Sequence, residues 1–437
     1  MKPSGRFADL RRLTGDAGLV TLGQLISYAY PIVSIPLLSR VLGIDGLGVF
    51  IVILATIQML LVLTDFGFGF SALRRISVAT SPQERQQVVS STITAKLALW
   101  AAGAVVLLVV VLIVPSMREN LVLYVIGILL TVGAVFYPMW YLQGVGRLKL
   151  FALLTAGSRL VALAGLVLTV HSADDVALAV VWQFAPFLLS AVVFWIVLIA
   201  QRELRLRLSR PVEARAAVSD SVPLFINLIS GQVIVNSSAI LLGQLAGYRQ
   251  VGLFGPADRL TSAIHGVLVA VEQAMMPRVA AAHTDPTVPS RRRAIMVGLI
   301  GCYALSGGLL ALSAPWLIPW YLGDGFAEAI PVVQLMGLAT MLSGVTRTFI
   351  LDLVSAGRSR ICSIVTMTGA GWHVLTATIG AWGWGAVGVA VAVCGTQLVM
   401  GASVVIADLR GPRPPRQPSE AHPSSIPDRE LTKEEHR

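Results

Sequence analysis

Apolar residues in this chain run continuously rather than in alternation. Twelve stretches of about 20 residues, each sufficient to cross ~30 Å of hydrocarbon as a helix, are separated by short polar turns. They lie at 17–39, 46–69, 90–114, 120–142, 150–170, 176–200, 220–245, 251–275, 294–320, 328–350, 361–381 and 384–407. The eighth is the least apolar, since it contains Asp258, Arg259, His265 and Glu272. Barrel strands would alternate, so the pattern predicts an all-α membrane protein with twelve transmembrane helices.

Composition agrees: of 437 residues, 55% are hydrophobic and 13% charged, about half the charged share of a soluble domain. The net charge of +10 would point to nucleic acid in a soluble chain. Here the arginines sit in the turns and follow topology instead. With the tails and even-numbered loops assigned to the cytoplasm, twenty-three basic residues fall near the membrane on that side, against Arg40, Arg118 and Arg249 on the other. Both termini are therefore expected inside.

The predicted organisation is an N-terminal tail (1–16), a six-helix N-lobe (17–200), a basic linker (201–219), a six-helix C-lobe (220–408) and a disordered tail (409–437). The lobes look like parallel repeats around a central cavity. LLSRVLGIDGLGVF at 37–50 aligns with LLGQLAGYRQVGLF at 241–254, and Gly146-Arg147 is echoed by Gly357-Arg358. An even number of helices per repeat puts the pseudo-two-fold axis along the membrane normal.

Enzyme motifs are absent. No lysine follows a glycine, so there is no Walker loop, and neither HExxH nor Gly-x-Ser-x-Gly occurs. The short outer loops offer little beyond Asp45, Asp174, Asp175, Asp324 and Glu328. Cys302, Cys362 and Cys394 lie in or beside apolar runs, without CxxC spacing, and read as packing residues. Intramembrane charge is the informative class, because each such group needs a partner or a wet cavity. Lys96, Arg159 and Arg259 lie deep and suit an anion; guanidinium binds phosphate through two parallel hydrogen bonds. Asp65, Asp258, Glu272 and Arg347 are candidates for coupling or gating, and Asp352, near an inner helix end, reads as structural. Gln24, Gln58, Gln183, Asn227, Asn236 and Gln397 fit a polar cavity wall, and Pro31, Pro36, Pro138, Pro186 and Pro223 predict bent helices.

Three segments carry a family resemblance. PIVSIPLLSRVLGIDGLGVF (31–50) followed by LVLTDFGFGFSALRRIS (61–77) resembles the N-terminal region of bacterial O-antigen and exopolysaccharide flippases of the multidrug/oligosaccharidyl-lipid/polysaccharide exporter superfamily. VGLFGPADRLTSAIHGVLVAVEQAMMPRVA (251–280) is similar to these and to the lipid II flippase, and WYLGDGFAEAIPVVQLM (320–336) adds a third match. The resemblance implies a V-shaped cavity between two lobes, alternating access, and undecaprenyl-diphosphate-linked oligosaccharide as cargo. It implies a bacterial inner-membrane location and substrate contacts at Arg40 and Arg259. No cofactor is expected beyond a coupling proton or sodium ion, and the expected partners are membrane lipids, a polysaccharide polymerase and glycosyltransferases. A drug or metabolite antiporter of the same superfamily is the alternative, followed by a membrane-embedded polymerase or glycosyltransferase. Antiporters favour acidic cavities, whereas the deep groups here are mostly basic.

Overall fold

The computed structural model describes residues 4–284 and 289–410. The described residues are helical, with no strand among them. In chain order the helices are α1 (Ser4–Asp65), α2 (Phe68–Val78), α3 (Pro82–Ile113), α4 (Pro115–Arg118), α5 (Leu121–Phe136), α6 (Met139–Gly144), α7 (Leu148–Thr169) and α8 (Val176–Ala200). They continue as α9 (Pro211–Leu245), α10 (Tyr248–Thr284), α11 (Pro289–Leu322), a 3₁₀ segment (Asp324–Ala329), α12 (Ile330–Ser355) and α13 (Ser359–Arg410).

Nine segments of the described residues are long and apolar enough to cross a membrane. Two of these are too long for one crossing. Tyr30–Val78 has 49 residues and Ser359–Arg410 has 52, about 74 and 78 Å at helical rise. Each contains a left-handed glycine that turns the chain: Gly43 at φ 67° and Gly385 at φ 59°. α10 is not among the nine, because Asp258, Arg259, His265 and Glu272 interrupt its apolar windows. It is nonetheless a continuous helix of 37 residues. Large apolar side chains face outward along the bundle, among them Ile113, Leu168, Leu312 and Trp316, as a lipid-facing surface requires.

Element boundaries depart from the apolar runs at several helix ends, among them the starts of α1, α3 and α9 and the end of α10. α1 begins at Ser4, thirteen residues ahead of the first apolar run, since nothing after Pro3 breaks a helix. α3 begins at Pro82, where Ser81 and Glu84 form a capping box. Of the expected disordered tail (409–437), Leu409 and Arg410 continue α13, and the rest lies outside the described residues.

Loop contacts sort to two ends. At one end the basic loops meet: Arg147 pairs with Glu203 at 2.6 Å, Gln86 bonds the Arg205 carbonyl at 2.7 Å, and Arg358 bonds the Ala407 carbonyl at 2.8 Å. At the other end α1, α4, α9, α10, α11 and α13 meet. Ser39 donates to the Leu322 carbonyl (3.1 Å), Ser116 to Gln244 (2.6 Å), and the Ala386 amide to Gln250 (2.9 Å). Outside the spans at this end, backbone amides of His171 and Ser172 donate to Asp175 and hold its carboxyl below the ordinary carboxylate range.

The repeated segments adopt matching backbones. Gly43 and its counterpart Gly247 are both left-handed. A Cβ on Gly48 would strike the Tyr248 carbonyl, and one on Gly252 would strike the Ile44 carbonyl, so the two copies cross reciprocally. Gly146 and Gly357 are left-handed at φ 73° and 76°, and the following amides, Arg147 and Arg358, bond Leu142 and Leu353 with the same 2.8 Å geometry.

Candidate functional site: a cationic interhelical cavity

Two adjoining cavities lie between helices α1–α8 and the helices α9 and α10. One, of about 270 Å³, is lined by α1 (Ser34, Leu54, Gln58), α7 (Thr155, Ser158, Arg159), α8 (Gln183, Phe187, Ser190) and α10 (Arg259). The other, of about 290 Å³, is lined by α1 (Gln58, Thr64, Asp65), α3 (Lys96) and α9 (Leu228, Gln232). Gln58, Tyr137, Met139 and Phe187 belong to both walls, so the two cavities share a partition.

The local sequence explains the opening. Pro31 and Pro36 remove donors from α1 beside the first cavity. α5 ends at Phe136 and resumes as α6 at Met139, because Pro138 cannot continue the helix. That break places Tyr137 at the junction of the cavities, its hydroxyl 3.4 Å from Thr155.

The first cavity carries two guanidinium groups and no carboxylate in its wall. Arg159 lies over the Tyr30 ring, 5.5 Å from its centroid, a cation–π contact that leaves the hydrogen-bonding fork free. Arg259 Nε is buried with no hydrogen-bond partner. Among the described residues neither arginine forms an ion pair. Two half-buried guanidinium groups without an ion pair on one wall favour an anion between them. In the second cavity Lys96, 5% exposed, lies 3.4 Å from Asp65, so that site is internally compensated.

The remaining candidates lie elsewhere. Arg40 is exposed at the end opposite the basic loops and donates to the Trp320 carbonyl at 2.8 Å; it lines neither cavity. Glu272 and Arg347 face one another at 4.0 Å inside the α10–α11–α12 packing, with Tyr303 donating to Glu272 at 2.6 Å and His265 bonded to Ser343. Asp352 is buried against Arg292, whose Nε donates to it at 2.7 Å. Asp258 is partly buried beside Arg259 and outside both walls.

Of the deep amides, Gln58 and Gln183 reach the cavities, whereas Asn236 bonds Gln232 at 3.0 Å and Gln397 accepts at its backbone from Thr346. The side chains of Gln24 and Asn227 lie outside those described. Tyr30, Tyr137, Ser158, Ser190 and Gln232 are wall or supporting residues that the reading of charges and deep amides passed over. Pro138 marked the position of Tyr137; the others carry no local signal, since an intramembrane Ser or Gln is usually helix–helix glue.

Comparison with known proteins agrees with this architecture. The family profile described as polysaccharide biosynthesis protein matches residues 13–283. A putative O-antigen transporter of Escherichia coli K12 is 23% identical over 330 residues, 74% of this chain and 79% of its own length. One from Shigella dysenteriae is 25% identical over 385 residues, 86% of this chain and 94% of its own. Among solved structures, an inward-facing multidrug resistance transporter of the MATE family in the MOP superfamily superposes with a TM-score of 0.71 at 15% identity, covering 89% of this chain and 94% of that one. The lipid II flippase MurJ, in an inward closed conformation, superposes at 0.70 with 13% identity, covering 90% and 88%.

Proposed function

The chain belongs to the polysaccharide biosynthesis protein family, and from that premise we propose that it is a flippase for polyprenyl-diphosphate-linked oligosaccharide, moving the headgroup from the inner to the outer leaflet of a bacterial cytoplasmic membrane. The observation that carries this reading is the convergence of Arg159 and Arg259 on one cavity wall free of carboxylates. A diphosphate presents oxygens to both guanidinium forks, and Ser, Thr, Gln and Tyr side chains around them suit sugar hydroxyls. A cation carrier would want the opposite sign at that wall.

In this reading α1 and α13 each cross twice, turning at Gly43 and Gly385, and α5 with α6 makes one crossing. That gives six helices before residue 201 and six after it, as two lobes with a parallel repeat. The basic loops face the cytoplasm. The Arg40 end is then the outer end, held shut by Ser39–Leu322, Arg40–Trp320 and the Gly48–Gly252 crossing. Transport alternates between this arrangement and one in which that crossing parts. Glycosyltransferases supply the cargo and a polymerase consumes it; neither activity is assigned to this chain.

The test is binding in nanodiscs. Radiolabelled polyprenyl diphosphate is expected to bind the parent protein and to bind Arg159→Ala/Arg259→Ala at least about thirtyfold more weakly, the loss of two charge-assisted contacts. Neutral polyprenol should bind both alike. Equal diphosphate affinity in parent and variant would contradict the assignment.

A further inference from the structure

The two adjoining cavities differ in charge. The first wall carries Arg159 and Arg259 and no carboxylate. The second has one charge of each sign, Lys96 and Asp65, 3.4 Å apart. Of that pair the carboxylate is the accessible member: its side chain is 43% exposed, against 6% for Lys96. A group entering the second cavity therefore meets a carboxylate acceptor whose charge is offset by a buried ammonium.

Polar side chains extend this wall. Along α1, Gln58, Leu61, Val62 and Asp65 fall at spacings of three and four and share one face. Gln58 also lines the first cavity, and Asp65 stands seven residues further on, about 10 Å along the helix axis. Gln58 makes no hydrogen bond to another described residue. α9 supplies Gln232, whose Oε1 accepts from Asn236 Nδ2 at 3.0 Å, so its own amide N–H groups stay free for the cavity. Tyr137 and Phe187 add aromatic surface to the shared partition. Carboxylates and side-chain amides hydrogen-bond in pairs, as neighbouring hydroxyls on a ring require, and an aromatic wall suits the C–H face of the same ring.

We propose that the second cavity is a sugar subsite selecting an uncharged first sugar, with Asp65, Gln58 and Gln232 binding its hydroxyls and Lys96 offsetting the charge of Asp65. The first sugar of the cargo is bonded directly to the diphosphate. A diphosphate on the Arg159–Arg259 wall therefore brings that sugar to the residues the two cavities share. A neutral ring presents hydroxyls to Asp65, whereas a uronic acid would bring a second carboxylate up to it. The inference rests on the flippase reading for the diphosphate.

Equilibrium binding in nanodiscs tests this, with radiolabelled polyprenyl diphosphate as the reference. The probes are the same lipid carrying one glucose, galactose, N-acetylglucosamine or glucuronic acid. The readout is each probe's affinity relative to the reference on the same protein. In the parent, at least one neutral sugar is expected to raise affinity about tenfold, the effect of one hydrogen bond to a charged group, and glucuronic acid is expected not to raise it. Gln232→Leu should bring the neutral-sugar ratio down severalfold. Asp65→Asn should lower it about tenfold and lift the glucuronic acid ratio above one, because the repelling carboxylate is gone while Lys96 keeps its charge. A variant that had only lost structure would weaken reference and probes alike and keep the parental ratios. Ratios of one for all three neutral sugars in the parent, a glucuronic acid ratio equal to the best neutral one, or parental ratios in Asp65→Asn would overturn the subsite and leave the flippase reading standing. Failure of the reference lipid to bind the parent would overturn that reading, and the subsite with it.

Discussion

Arg159 and Arg259 reach the same wall by different means. Arg159 is steadied by the face of Tyr30, while Arg259 has a buried, unpartnered Nε. Arg259 therefore has more to gain from an anion. Arg259→Ala is expected to abolish surface polysaccharide export while the protein still inserts at parental level. Arg259→Lys should recover a minor part, since an ammonium supplies charge without the fork. Tyr30→Leu keeps an apolar side chain but removes the ring and its quadrupole, and should weaken diphosphate binding severalfold through Arg159. Immunoblotting of membranes beside polysaccharide gels checks the first two, and nanodisc binding checks the third. Depth along an apolar run was enough to single out Lys96, Arg159 and Arg259 from the sequence. It was not enough to pair Lys96 with Asp65, 31 positions away, or Glu272 with Tyr303 and Arg347. Those pairings depend on how helices rotate about their axes, which hydropathy does not encode. Arg40 carries the same charge as the cavity residues, yet its place at a helix end turns it to a backbone carbonyl.

Glycines decide what the helices can do at their crossings. Gly48 and Gly252 let α1 and α10 meet backbone to backbone, so Gly48→Ala and Gly252→Ala both force the helices apart. Each is expected to cost about 1–3 kcal/mol, seen as a lower melting temperature in detergent, and to shift the protein away from the closed outer end. Gly157→Ala, with open space around its Cβ, should leave both properties unchanged. At the basic-loop end, Arg292→Ala would remove one guanidinium contact from buried Asp352. A loss of about 3 kcal/mol is expected, and Arg292→Ala/Asp352→Asn should recover part of it. The glycines common to 37–50 and 241–254 stand where a left-handed turn and a backbone crossing demand that residue. Helix ends were less legible: α3 starts eight residues before its apolar run, where a capping box and not hydropathy sets the boundary.

At the scale of the whole molecule, hydropathy and arginine placement specified a polytopic helical protein. What they left open was where the polar groups converge, since that follows from packing among helices far apart in sequence. Two adjoining cavities with cations in their walls, and hydrogen bonds joining the helices at the Arg40 end, are what the proposed transport would use. The most direct test of the central claim is the leaflet occupied by diphosphate-linked oligosaccharide in cells depleted of this protein, read with a membrane-impermeant probe of the sugar headgroup. The intermediates are expected to accumulate out of the probe's reach, on the cytoplasmic side, while surface polymer is lost. Intermediates that stay accessible from outside at parental levels, with surface polymer intact, would contradict it.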